Sequence, residues 1–80
     1  MDQYKTKDIG LAAYLVTKGQ ALQGYKKENG VTYFIFNGSE KGKKFENEYR
    51  FGNSEIPARR FYDAVKQLKV LIYQNNEQSS

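Results

Sequence analysis

The sequence predicts a small single-domain α+β protein, and three observations lead to this prediction. Residues 57–73 carry apolar side chains at the three-and-four spacing of an amphipathic helix. A more uniformly apolar segment at residues 9–18 predicts a second, largely buried helix. Between them, Asn29-Gly30 separates two β-rich runs, as in a two-residue hairpin. The predicted order is helix, β-hairpin, a short helix or strand, and a long C-terminal helix packed on the sheet.

The length of the chain fits one domain with a thin core. A chain of 80 residues buries only about 60 to 65% of the surface that its unfolded form exposes. Seven Tyr and five Phe must supply much of that core, because each enclosed ring buries roughly 150 to 250 Å². We expect the compact domain to span residues 1–73 and the polar segment 74–80 to form a disordered tail.

The first predicted helix has recognisable signals at both ends. Thr6 or Asp8 can serve as its N-cap. Gly19 is expected to take the left-handed conformation that ends many helices. Apolar side chains cover so much of the helix circumference that we expect it to be mostly buried against a sheet.

The predicted hairpin joins strands at residues 21–27 and 31–37. Its turn needs positive φ at both central positions, which Asn29 and Gly30 tolerate best. The second strand alternates between two apolar faces, Val31, Tyr33 and Ile35 on one and Thr32, Phe34 and Phe36 on the other. Either both faces are covered, or one of them is an exposed aromatic platform.

The segment between the hairpin and the last helix fits two structures. Ser39 can cap a helix in which Phe45 and Tyr49 share a face at spacing four. Alternation of apolar and charged residues at 45–51 would equally suit a third strand. We expect a short helix within residues 40–51, with the strand as the alternative.

The last helix is predicted to have two different faces, and Pro57 suits its first position. Its core face comprises Phe61, Ala64, Val65, Leu68, Leu71 and Ile72. About 130° around the axis lies a basic, aromatic face of Arg59, Tyr62, Lys66, Lys69 and Tyr73. Cations alternating with flat rings suit nucleic acid, because the cations neutralise phosphates and the rings stack on bases.

Composition excludes more functions than it selects. The chain has no His and no Cys, which removes the commonest general base, the commonest nucleophile pairs and the usual zinc ligands. We therefore expect no enzymatic activity, no cofactor or metal, and no small-molecule substrate. The net charge of +4 favours nucleic acid, anionic lipid and acidic proteins alike.

Three features favour a cytoplasmic protein that does not enter the membrane. Absence of cysteine fits a reducing compartment, because small secreted domains commonly need disulfides. The longest apolar run, Leu11 to Val16, is far shorter than the roughly 20 residues of a membrane span. The first ten residues also lack the apolar core of a signal peptide.

These patterns give one leading functional hypothesis and one alternative. The leading hypothesis is a nucleic-acid-binding or DNA-associated module. Its expected phosphate contacts are Lys41, Lys43, Lys44, Arg59, Arg60, Lys66 and Lys69, and its expected stacking residues are Tyr62 and Tyr73. The alternative is a protein-interaction module, with a protein partner or a second copy docking on the hairpin face of Tyr25, Thr32, Phe34 and Phe36.

The order of these elements also resembles a known family. The most particular stretches are Lys5-Thr6-Lys7-Asp8, Leu11-Ala12-Ala13-Tyr14-Leu15 and Pro57-Ala58-Arg59-Arg60-Phe61. With them, residues 4–73 resemble a family of short bacterial and phage or prophage-borne proteins classified as a domain of unknown function. The resemblance implies an intact single domain in a mobile-element context, without catalytic residues or a ligand, and it favours a helix at residues 40–51.

Overall fold

The computed structural model describes residues 2–52 and 55–78, with side chains as far as Gln74. Its elements are β1 (Gln3–Thr6), α1 (Ile9–Thr17), β2 (Leu22–Glu28), β3 (Val31–Asn37), α2 (Ser39–Phe51) and α3 (Ala58–Gln78). The strands form one antiparallel sheet in the order β1-β3-β2, and the C-terminal helix packs on the sheet side that α1 occupies. The predicted α+β fold is confirmed.

The third strand lies at the N-terminus, in a segment whose sequence does not predict a strand. β1 pairs with β3 so that Tyr4 lies opposite Phe36 and Thr6 lies opposite Phe34. Tyr4 and Thr6 face the core, whereas Gln3 and Lys5 are exposed. Four residues are too short to give a clear alternation signal, so this strand is defined by its pairing with β3 rather than by its own pattern.

α1 is the most buried element of the protein. Asp8 caps it, because its Oδ1 accepts hydrogen bonds from the N–H groups of Gly10 and Leu11 at 3.0 and 3.2 Å. Leu11 to Leu15 are all at most 1% exposed. Gly19 follows the helix with φ of +93°. The predicted cap, burial and left-handed ending are thus confirmed.

The hairpin turn has the predicted geometry. Asn29 and Gly30 have φ of +52° and +80°, as a type I′ turn requires. In β3, Phe34 and Phe36 are buried beneath the helices, while Tyr33 and Ile35 lie half-buried on the opposite face. The helices cover only one face of the sheet.

The predicted protein-docking face is wrong, because Phe34 and Phe36 are buried in the core. Phe34 and Phe36 are 0% and 1% exposed, and Tyr25 packs against the same core. Thr32 lies on this side as well, half-buried. The four residues form the inner face of the sheet because α1 needs an apolar surface to pack on, so a partner cannot reach Phe34 or Phe36 without unfolding the core.

The segment after the hairpin is a helix, as expected, and not a third strand. Phe45 and Tyr49 of α2 pack against the ring of Tyr14, with centroid distances of 6.3 and 5.4 Å. Gly42 is buried, and a Cβ atom added to it would overlap the ring of Tyr4. This glycine is therefore required for contact between α2 and β1, although its helix propensity is poor.

α3 has the predicted core face but extends further than predicted. Ala64 and Leu68 are buried, and Phe61, Val65, Leu71 and Ile72 pack around them. The carbonyl of Pro57 accepts the hydrogen bond from the Phe61 N–H at 3.1 Å, so the helix begins beside this proline. The helix continues past Tyr73 to Gln78, so it includes part of the segment 74–80 predicted as a tail. Ser79 and Ser80 lie outside the described residues.

Replacing Gly42 by Ala should destabilise the protein. Alanine normally stabilises a helix relative to glycine by about 1 kcal/mol, but here the new methyl group would overlap the Tyr4 ring, and overpacking costs about 1 to 3 kcal/mol. Urea denaturation measures the difference. Gly24→Ala is the control, because no atom lies within 4 Å of its added Cβ, and its effect should stay within about 0.5 kcal/mol. A stabilised Gly42→Ala variant would contradict the described α2–β1 contact.

Leu68→Ala should remove about 2 to 5 kcal/mol of stability, because Leu68 is 3% exposed at the centre of the core face of α3. Val70→Ala on the same helix is the matched control, since Val70 is 51% exposed and its loss should be nearly neutral. Thermal unfolding followed by circular dichroism compares the two. Equal melting temperatures for both variants would mean that α3 is rotated about its axis relative to the described structure.

Candidate nucleic-acid interface

The basic, aromatic face of α3 points away from the core. Arg59, Tyr62, Lys66, Lys69 and Tyr73 are all exposed, and they lie on the side of the helix not used by the apolar residues that contact α1. We call these five residues the α3 face. Its position relative to the core face is the one predicted from the sequence.

Both tyrosine rings of the α3 face are accessible. Tyr62 and Tyr73 are 62% and 65% exposed. The Nζ atom of Lys66 lies 5.2 Å from the centroid of the Tyr62 ring, which is a cation–π distance. This contact places a positive charge beside an exposed ring, so one site on the helix offers both a phosphate contact and a stacking surface.

The cations of the α3 face form no salt bridge with the described carboxylates. Within the described part of the chain, no carboxylate lies within salt-bridge distance of Arg59, Lys66 or Lys69. Asp63 is one helical turn from Arg59 and Lys66, but it forms no salt bridge with either and lines a pocket with Arg60 beside the C-terminal end of α1. Arg60 was predicted as a phosphate contact, but the structure places it away from the α3 face.

The lysines predicted as a second phosphate-binding group lie on a different helix. Lys41, Lys43 and Lys44 are exposed in the first turns of α2. Helices α2 and α3 each pack against α1, and α3 has far less contact with α2 than with α1. The seven predicted phosphate contacts therefore form separate groups: three lysines on α2, three cations on the α3 face, and Arg60 between α3 and the end of α1.

A polar network fixes α2 against β1 and α1. The Tyr4 hydroxyl donates a hydrogen bond to Oε1 of Glu46, and Nε of Arg50 donates to Oε2 of Glu46 at 3.1 Å. Nη2 of Arg50 also lies 3.9 Å from Oδ2 of Asp8. The pKa of the Tyr4 phenol is raised, mainly by burial and to a smaller extent by its hydrogen bond to Glu46. The hydrogen bonds from Tyr4 and Arg50 hold the pKa of Glu46 below its usual range.

Similar interactions join the start of α2 to the N-terminus. Oδ2 of Asp2 accepts a hydrogen bond from the Ser39 N–H at 3.0 Å. Hydrogen bonds from Ser39, with a smaller contribution from the charge of Lys43, hold the pKa of Asp2 below its usual range. These carboxylates thus hold separate elements together. Neither network could be recognised from the sequence, because Tyr4 and Glu46, like Asp2 and Ser39, are far apart in the chain.

Sequence reasoning also missed residues that lie next to the α3 face. Lys7, in the connection between β1 and α1, and Ile9, the first residue of α1, line a groove with Lys69, Ile72 and Tyr73. Only the antiparallel packing of α1 and α3 brings these two segments together.

In the described ranges, no cluster of three or more acidic side chains is arranged to hold a metal ion. Nor is any helix in the described chain long and apolar enough to cross a membrane.

Comparison with known proteins identifies the family. A family model for a domain of unknown function, DUF5659, matches residues 1–74. No curated protein and no solved structure is significantly similar to the chain. The match includes every strand and helix except the last residues of α3. On this evidence, the chain belongs to the DUF5659 family.

Proposed function

We propose that this protein is a small, non-enzymatic nucleic-acid-binding module that contacts its ligand through the α3 face. The observation that carries the proposal is the pairing of exposed cations with two exposed rings along one side of a helix whose other side is fixed in the core. A fixed helix presents these groups in a constant geometry.

The two kinds of residue have separate roles in this proposal. Arg59, Lys66 and Lys69 contact phosphates, and binding releases the counterions that those phosphates had condensed, so affinity falls as salt rises. Tyr62 and Tyr73 stack on bases, which requires bases that are not already paired and stacked in a duplex. The ligand favoured by this combination is single-stranded or locally opened nucleic acid.

The lysines of α2 have a lesser role in the proposal. Lys41, Lys43 and Lys44 raise the positive potential of the domain and can attract nucleic acid over a distance of about one Debye length. They have no exposed ring between them, since the buried Gly42 occupies that turn. We propose that they assist association but do not define the binding site.

The cellular setting is part of the same proposal. The resemblance of residues 4–73 to bacterial and phage-borne proteins favours a module that acts on nucleic acid in the cytoplasm of a bacterial host. Absence of cysteine from the chain supports a reducing compartment.

A protein-interaction module is the second candidate, and the uncovered face of the sheet is the observation that favours it. Tyr33 and Ile35 lie half-buried at its centre, with Val31 36% exposed beside them. However, Nζ atoms of Lys5 and Lys26 each lie 3.7 Å from the Glu28 carboxylate, so charged groups surround the apolar centre. A dimer in size-exclusion chromatography that does not bind nucleic acid would favour this candidate.

Replacing Lys66 and Lys69 together by Gln should weaken binding to every nucleic-acid sequence. Both side chains are exposed, so folding should not change, while loss of two phosphate contacts should reduce the salt slope by about one to two units. Fluorescence anisotropy with a labelled oligonucleotide across a salt series measures both quantities. Lys41→Gln with Lys44→Gln is the control, because it removes the same charge from α2. An equal loss in the control would indicate attraction by net charge alone and would overturn the assignment to α3.

Tyr62→Ala should weaken single-stranded binding by about 1 to 3 kcal/mol and leave duplex binding nearly unchanged, because only unpaired bases present a free face. Tyr62→Phe is the matched control, since it keeps the ring and should retain the parent affinity. Titrations of one oligonucleotide, alone and annealed to its complement, compare the two ligands. An equal effect of Tyr62→Ala on both would show that the ring does not stack.

A further inference from the structure

The α3 face continues into a groove between α3 and the start of α1. The groove has a volume of about 360 Å³ and is lined by Lys7, Ile9, Lys69, Ile72 and Tyr73. We propose that it holds one unpaired base of a single-stranded nucleic acid, with the neighbouring phosphates bound by Lys7 and Lys69. This inference rests on the proposed function and adds to it a specific subsite and a residue, Lys7, that lies outside the α3 face.

The groove has the apolar surfaces that a base needs. Ile9 and Ile72 are half-buried and pack against the core, so they form a fixed floor. Tyr73 lies at the rim and is 65% exposed, which leaves its ring accessible for stacking. The volume lies at the lower end of the range for small-ligand sites, about 300 to 1,000 Å³, and therefore suits one nucleotide rather than a stack of base pairs.

The charges at the groove favour a phosphate ligand. Lys7 and Lys69 are both exposed, and neither forms a salt bridge with a carboxylate among the side chains described. The acid nearest to Lys7 in sequence is Asp8, whose carboxylate already accepts two N–H groups of α1 and lies near Arg50. The two lysines are thus available to an anion from outside.

A single strand fits this arrangement better than a duplex. In a duplex the bases are stacked and paired inside, so the apolar floor and the Tyr73 ring would have no partner. In a single strand a base can turn into the groove while the backbone passes the two lysines. A free mononucleotide offers the same chemistry, so the test must distinguish it from a strand.

The test measures binding of a labelled 12-nucleotide oligothymidine and of the matching duplex to the parent, Lys7→Gln, Tyr73→Ala and Tyr73→Phe. Tyr73→Ala should weaken single-strand binding by about 5- to 150-fold and duplex binding by less than about twofold. Tyr73→Phe keeps the ring and should bind the single strand as tightly as the parent does. Lys7→Gln should reduce the single-strand salt slope by about 0.7. Lys44→Gln, on α2, is the control. In this variant the preference for the single strand over the duplex should be the same as in the parent.

The outcomes separate this inference from the function on which it rests. If the parent binds neither ligand at low salt, the proposed function is overturned. Lys66→Gln, which changes the α3 face outside the groove, is measured in the same way. If Lys66→Gln weakens single-strand binding while Lys7→Gln leaves the salt slope unchanged, the function stands and the groove assignment is overturned. If thymidine monophosphate competes as well as the oligonucleotide does, the groove is a mononucleotide site and the assignment to a strand is wrong. Circular dichroism of each variant verifies that it is folded.

Discussion

The burial of α1 determines where the sheet, α2 and α3 are placed. Five consecutive residues, Leu11 to Leu15, are almost completely enclosed, and a helix buried all round must be covered from several directions. The sheet, α2 and α3 each provide one of these covers. Because α3 uses one side to cover α1, its other side is left in solvent, and that side carries the cations and rings of the α3 face.

A close contact at Gly42 allows α2 to pack against β1. Gly42 lets α2 approach the Tyr4 ring, and the Tyr4–Glu46–Arg50–Asp8 network then joins β1, α2 and the start of α1. Asp8 lies between Lys7 and Ile9, which meet α3 at the groove. The position of the proposed base subsite therefore depends on contacts made on the other side of α1.

Local chemistry made much of the fold predictable from sequence. The Asp8 cap, the Asn29-Gly30 turn and the two faces of α3 are determined by residues close together in the chain, so their patterns are visible without a structure. β1 could not be recognised because its four residues form a strand only when paired with β3. The covered face of β3 could not be chosen either, since both of its faces are apolar. Lys7 was missed because only tertiary packing places it beside Tyr73.

We propose that packing against α1 orients α3 so that the α3 face binds nucleic acid. This proposal can be tested by a nuclear magnetic resonance titration of the isotope-labelled protein with a short oligothymidine at low salt. We expect the shifted resonances to cluster at Tyr62, Lys66, Lys69, Tyr73 and Lys7, with little change in the first turns of α2. Shifts centred on Tyr33 and Ile35 of the open sheet face, or no shifts at all, would contradict it.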